Sequence, residues 1–163
     1  MSDEQMSRFL LNSDVSQDQI PALITLSGGC PGIALSLANN ADYLLLRKKV
    51  FSALNSINAS ENVLLVSNGF KDDKDNLELI LTIIEDTIRT TLLVCLGQCN
   101  KEILRYHPKP LQQAVSKAHI NGLLRILDAI STSRQYKLSQ LNWQAILDIL
   151  LTQITEEYQT WLQ

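Results

Sequence analysis

Four side chains carry the chemistry of a metal site: Cys95, Cys99, His107 and His119. The cysteines stand four apart at a helix end, so both thiols can face one way, and two imidazoles follow downstream. Zinc sites of this kind use two close ligand pairs, and the second close pair is missing. Cys95 also falls on an apolar helical stripe, where a free thiol acts as a small hydrophobe. The expectation is therefore no metal and no cofactor. The adjacent acids Glu85-Asp86 and Glu156-Glu157 diverge by about 100° around a helix, which does not suit an acid/base pair. They read as solvated faces. Serine, histidine and aspartate all occur, yet no nucleophile elbow organises them, so no catalytic residue is assigned.

The one glycine-rich stretch is Ser27-Gly28-Gly29-Cys30-Pro31-Gly32-Ile33-Ala34-Leu35. Gly28 or Gly29 can take the positive φ that ends a helix, and Pro31 suits the first turn of the next. Such a corner can also hold a phosphate at the new helix N-terminus. No Lys-Ser/Thr pair follows the glycines and no strand precedes them, so it is not a P-loop. The spacing favours an αα corner built from Gly28, Gly29, Cys30, Pro31 and Gly32.

These residues must be positioned by a chain of 163 residues, 45% hydrophobic and 19% charged, enough for one domain with a real core or a domain plus a small appendage. Fourteen basic against seventeen acidic residues give a net charge of −3. The longest basic run is Arg47-Lys48-Lys49, which excludes a nucleic-acid-binding stripe. Three cysteines, an odd number, with no secretory leader, point to free thiols in a reducing cytoplasm. The apolar stretch Leu77 to Leu96 is interrupted by Glu78, Glu85, Asp86 and Arg89, so it predicts a buried helix and not a membrane span.

The pattern is helical throughout, and no period-two strand stands out. Residues 1–12 predict a helix with Met6, Phe9 and Leu10 on one side. Ser16 is placed as N-cap of a helix carrying Ile20, Leu23, Ile24 and Leu26. Asn39-Asn40 is the expected domain boundary. Beyond it, Leu46, Val50, Phe51, Leu54 and Ile57 form one stripe, and Ser60 is expected to cap a short helix with Val63, Leu64 and Val66, closed by Gly69. Residues 75–98 are apolar nearly all round, the signature of a central bundle helix, with Glu85 and Arg89 paired at i,i+4 and an end near Gly97. The apolar phase shifts after Pro108 and Pro110. Ser116 as N-cap, with Val115 and Ile120 as a hydrophobic staple, accounts for that shift. Asn142 caps a last helix with Trp143, Ile146, Leu147, Leu150, Leu151, Ile154, Tyr158 and Trp161. Arg134, Tyr136 and Trp161 lie at helix ends where a protein interface can use them, and a terminal tryptophan equally serves as a cap on its own bundle.

The corner at Leu26–Leu35 resembles the end of the lid domain in the delta-prime subunits of bacterial DNA polymerase III clamp loaders. These show a Ser-Gly-Gly-Ser-Pro-Gly-Arg-Ala-Leu type of pattern there. The stretch from Leu123-Leu124-Arg125-Ile126-Leu127-Asp128 through Leu141-Asn142 to Ile146–Leu151 is similar to their last two collar helices, while 43–110 matches only in being helical. The resemblance implies an all-α chain: a helical lid remnant over 1–40 and a helical-bundle collar over 43–163, without the family's N-terminal ATPase-like domain. It also implies a non-catalytic cytoplasmic subunit that joins gamma/tau and delta in the ring that loads the sliding clamp, and meets DNA only through that complex. Active clamp-loader ATPases carry an arginine at this corner that senses the nucleotide phosphate. The equivalent position here is Gly32, which cannot make that contact. The arginine that delta-prime sequences often carry one place later is Ile33. Two alternatives stand beside this reading: a small helical metal-dependent enzyme or regulator using the Cys/His set, and an unrelated helical adaptor.

Overall fold

The computed structural model describes residues 2–27, 29–58, 60–116 and 119–161, apart from the side chains of Ile33, Ser60 and Tyr106. Among them the fold is all-α, with no strand. The chain forms two compact units, 1–48 and 49–163.

The first unit contains α1 (Asp3–Leu11), α2 (Ile20–Ser27), α3 (Pro31–Ala38) and the start of α4 (Ala41–Ser56). Ser2 and Gln5 form a reciprocal capping box: Gln5 N–H donates to Ser2 Oγ at 3.3 Å and Ser2 N–H to Gln5 Oε1 at 3.1 Å. Such a cap contributes about 1 kcal/mol. Met6 and Leu10 turn inward to meet Ile20, Leu23 and Ala34, while Phe9 stays on the surface. Ser16 does not cap α2. Its carbonyl accepts from Gln19 N–H at 3.0 Å in a turn, and the helix starts at Ile20 with Pro21 in the first turn, where a missing N–H costs nothing. The division between the units falls inside α4, past the Asn39–Asn40 turn.

The second unit continues α4 and adds α5 (Val63–Asn68), α6 (Leu77–Cys95), α7 (Lys109–Ser116), α8 (Ile120–Leu138) and α9 (Trp143–Trp161). Short 3-10 turns occupy Ser60–Asn62, Lys71–Asn76 and Lys101–Tyr106. Arg134 on α8 reaches Glu78 at the start of α6, and Arg125 reaches Glu157 near the end of α9. So α8 runs antiparallel to both long neighbours. Their shared core includes Ile80, Leu81, Ile84 and Ile88 of α6, Leu123 and Ile130 of α8, and Leu150, Ile154 and Tyr158 of α9.

In its second half, the inner face of α6 is not its most apolar one. Leu93 and Leu96 are exposed, and the buried line runs through Thr87, Thr91 and Val94. Each threonine hydroxyl donates to the carbonyl four residues back, Thr87 to Ile83 at 2.6 Å and Thr91 to Thr87 at 2.8 Å. A polar side chain satisfied by its own helix can be buried at little cost. In α5 the inward residues are Val63 and Ser67, while Leu64 and Leu65 face solvent. The role expected for the Ser60 side chain lies outside the described residues.

Between α7 and α8 the chain does break, but not at Ser116. Ser116 ends α7, its hydroxyl donating to the Gln113 carbonyl at 2.8 Å, and His119 occupies the N-cap position of α8. Ile120 is thus the first residue of α8, and the staple geometry does not arise. Asn142 caps α9 as expected, its Oδ1 accepting from Gln144 N–H at 2.8 Å. α6 closes in a Schellman turn: Gly97 has φ +72°, its N–H donates to Val94, and Gln98 N–H donates to the Leu93 carbonyl at 2.9 Å.

Candidate functional site

At the glycine-rich corner, α2 ends at Ser27, Gly29 adopts φ +82°, and Cys30 N–H returns to the Ser27 carbonyl at 3.0 Å. Cys30 is the exposed N-cap of α3 and makes no side-chain cap bond; Pro31 is the first helical residue. Gly28 and the side chain of Ile33 lie outside the described residues. A Cβ added to Gly32 would meet nothing within 4 Å. Packing therefore does not demand glycine at this position. It has room for a side chain and presents no charge.

The residues with metal-ligand chemistry are not brought together. Cys95 and Cys99 are half-buried at and beyond the end of α6, where burial pushes the Cys95 thiol pKa up. His107 is buried, with Nδ1 3.4 Å from Thr91 Oγ1 and its ring edge-on to Phe51 at 6.0 Å. His119 instead stacks on Trp161, ring centroids 5.8 Å apart and planes at 18°. Among the described residues no group of three His, Cys, Asp or Glu side chains is arranged to hold a metal ion.

The three helix-end residues expected at an interface have different fates. Arg134 is the centre of an ion network across α6 and α8. Its Nε donates to Glu78 at 2.7 Å, its Nη1 to Glu85 at 2.5 Å, and its Nη2 to Thr82 Oγ1 at 3.4 Å. Lys137 adds a bond to Glu78 at 3.1 Å, and Arg89 one to Glu85 at 2.6 Å. The Arg134 hydrogen bond holds the Glu78 carboxyl pKa below the usual range. Burial pulls Glu85 upward, but the hydrogen bonds and charges of Arg134 and Arg89 outweigh it and leave Glu85 lowered as well. Asp86 goes the other way, raised by burial and by the charge of Glu85. Arg134 thus joins two helices of its own chain.

Of the two roles open to Trp161, it takes that of a cap on its own bundle and is only 2% exposed. It lies between His119 and Tyr158, the latter ring at 5.2 Å, and above Gly122, where an added Cβ would come within 2.7 Å of its Nε1. The last turn of α9 closes the core because glycine lets the indole settle on α8. Tyr136 remains partly exposed at 37%, and its carbonyl accepts from Leu141 N–H at 3.1 Å in the turn that ends α8.

One polar cluster escapes sequence reading. Ser67, fully buried on α5, donates to Asp148 and accepts from Gln144 Nε2 at 2.8 Å, both on α9. Ser67 is thus a hydrogen-bonded clasp between two helices. Its partners lie some eighty positions along the chain, so no local spacing signals it.

Comparison with protein-family models, with curated proteins and with solved structures gave no match. No helix among the described residues is long and apolar enough to cross a membrane.

Proposed function

We propose that this chain is a non-catalytic structural part of a replicative clamp loader of the delta-prime type, acting in protein assembly through its helical surfaces. The observation that carries the reading is the corner at Ser27–Leu35. There a left-handed Gly29 and an N-terminal Pro31 turn one helix into the next, and Gly32 occupies an open position where an active ATPase presents its phosphate-sensing arginine. The organisation around it is consistent with a small lid unit followed by a collar bundle. Its polar clusters are spent on helix-to-helix ties, Arg134 with Glu78 and Glu85, and Ser67 with Asp148. The net charge of −3 favours contact with proteins over direct contact with DNA. Co-expression with the gamma/tau and delta subunits of the same source tests the proposal. A stable complex by size-exclusion chromatography with light scattering is the expected outcome, and separate elution of all partners refutes it.

A further inference from the structure

Between α8 and α9 runs an open groove of about 280 Å³. Ile126 and the small Ala129 make its floor, Asp128 and Thr132 one wall, and Gln153 and Glu156 the other. The Arg125–Glu157 pair, Nε to Oε1 2.6 Å and Nη2 to Oε2 3.0 Å, closes one end. Helical register extends this face at both ends with exposed apolar residues: Leu124, one turn before Asp128, is 48% exposed, and Ile149, one turn before Gln153, is 38% exposed.

Charge then selects the occupant. Four carboxylates of this unit, Asp73, Glu78, Glu85 and Glu157, hold a cation of their own chain. Asp128 and Glu156, on opposite walls, have no ion-pair partner among the described residues. The groove thus has the Arg125–Glu157 ion pair across one end, an exposed apolar residue beyond each end, a small floor, and an unpaired carboxylate on each wall. A phosphate backbone would be repelled, whereas a helix with Arg or Lys between two apolar residues would complement the groove in charge and polarity. The geometry points to the α8/α9 groove as the docking surface for a basic-centred amphipathic helix of a protein partner. This deepens the assembly reading and rests on it, by assigning one face and one partner chemistry.

The first test uses the whole chain and a synthetic amphipathic helix carrying two arginines between leucines, with a glutamate-for-arginine version as control. Amide shift changes confined to residues around 125–132 and 149–157 are expected. The double variant Asp128→Lys, Glu156→Lys, with an unchanged thermal midpoint, should bind ~10-fold or more weakly. Shifts centred elsewhere, equal binding of the control peptide, or undiminished binding by the double variant overturn the groove. The same double variant is then co-expressed with the loader subunits. If the wild type assembles and the variant does so equally well, the groove is wrong and the assembly reading stands. If the wild type does not assemble while the peptide result holds, the clamp-loader reading fails and the groove remains a docking face.

Discussion

Gly122 and Trp161 show how a single missing side chain sets the fit between two helices. Since an added Cβ would stand 2.7 Å from Trp161 Nε1 and 3.0 Å from Glu157 Oε2, Gly122→Ala must push the indole or split the Arg125–Glu157 pair. Overpacking of this kind costs about 1–3 kcal/mol, and urea unfolding followed by tryptophan emission measures it. Tyr158 is the opposite case. Its hydroxyl is buried with no hydrogen-bond partner among the described residues, and burial raises its pKa. Tyr158→Phe removes an unsatisfied group without opening a cavity, so stability should hold or rise, within about 1 kcal/mol. A clear loss in the same unfolding experiment would mean that the hydroxyl is solvated or bonded. The sequence shows these effects only in part: Gly122 reads as an ordinary weak point in a helix, and Trp161 reads equally as a partner contact and as a cap on its own bundle. Both roles arise from the antiparallel register of α8 and α9, which only long-range contacts set.

The helices themselves were readable wherever the signal is local. The Asn142 cap, the turn at Gly97 and the Pro31 start depend on a few neighbouring residues, and the structure has each of them. Reading failed where a polar residue is satisfied by its own helix, as at Thr87 and Thr91, or where a helix starts without a side-chain cap, as α8 does at His119. The Schellman turns carry a prediction. Gly97→Ala forces a Cβ into a left-handed residue with open space around it, so the cost is conformational, about 1–2 kcal/mol. Gln140 closes α8 with φ +60°, and Gln140→Gly should stabilise by about 0.5–1 kcal/mol. Thermal midpoints of the two variants should therefore move in opposite directions. The α6–α8 network adds a pH dependence. Glu78 and Glu85 have lowered folded-state pKa values, so their contribution is present above the unfolded carboxylate pKa and is lost as pH falls through the folded values. Asp86, raised, works against this trend. Because Glu78 is half exposed, Arg134→Ala should cost only about 1–2 kcal/mol at pH 7, and the difference from wild type should shrink as acid protonates Glu78 and Glu85. An undiminished difference at low pH would show that Arg134 acts by packing alone.

At the scale of the whole molecule, the helical hydrophobic period announced the all-α class, and the described residues form helices with no strand. The division into two units was less legible, because its boundary lies inside α4, where no turn residue marks it. The functional expectation at this scale is an absence of chemistry. ATP turnover by the purified chain should not exceed the buffer rate, and gel-shift assays should show no salt-sensitive affinity for duplex DNA. A DNA affinity that falls steeply with salt would contradict the assembly role.

α9 also has a practical consequence. It begins at Trp143, half-buried at one end of the bundle, and finishes at Trp161, buried at the other, and these are the only two tryptophans in the chain. Each indole samples a different polarity, so their emissions should separate in wavelength. Replacing either one with phenylalanine would turn the other into a local optical gauge. The helix would then report, without any attached label, which end of the bundle loosens first when a partner docks or a denaturant is added.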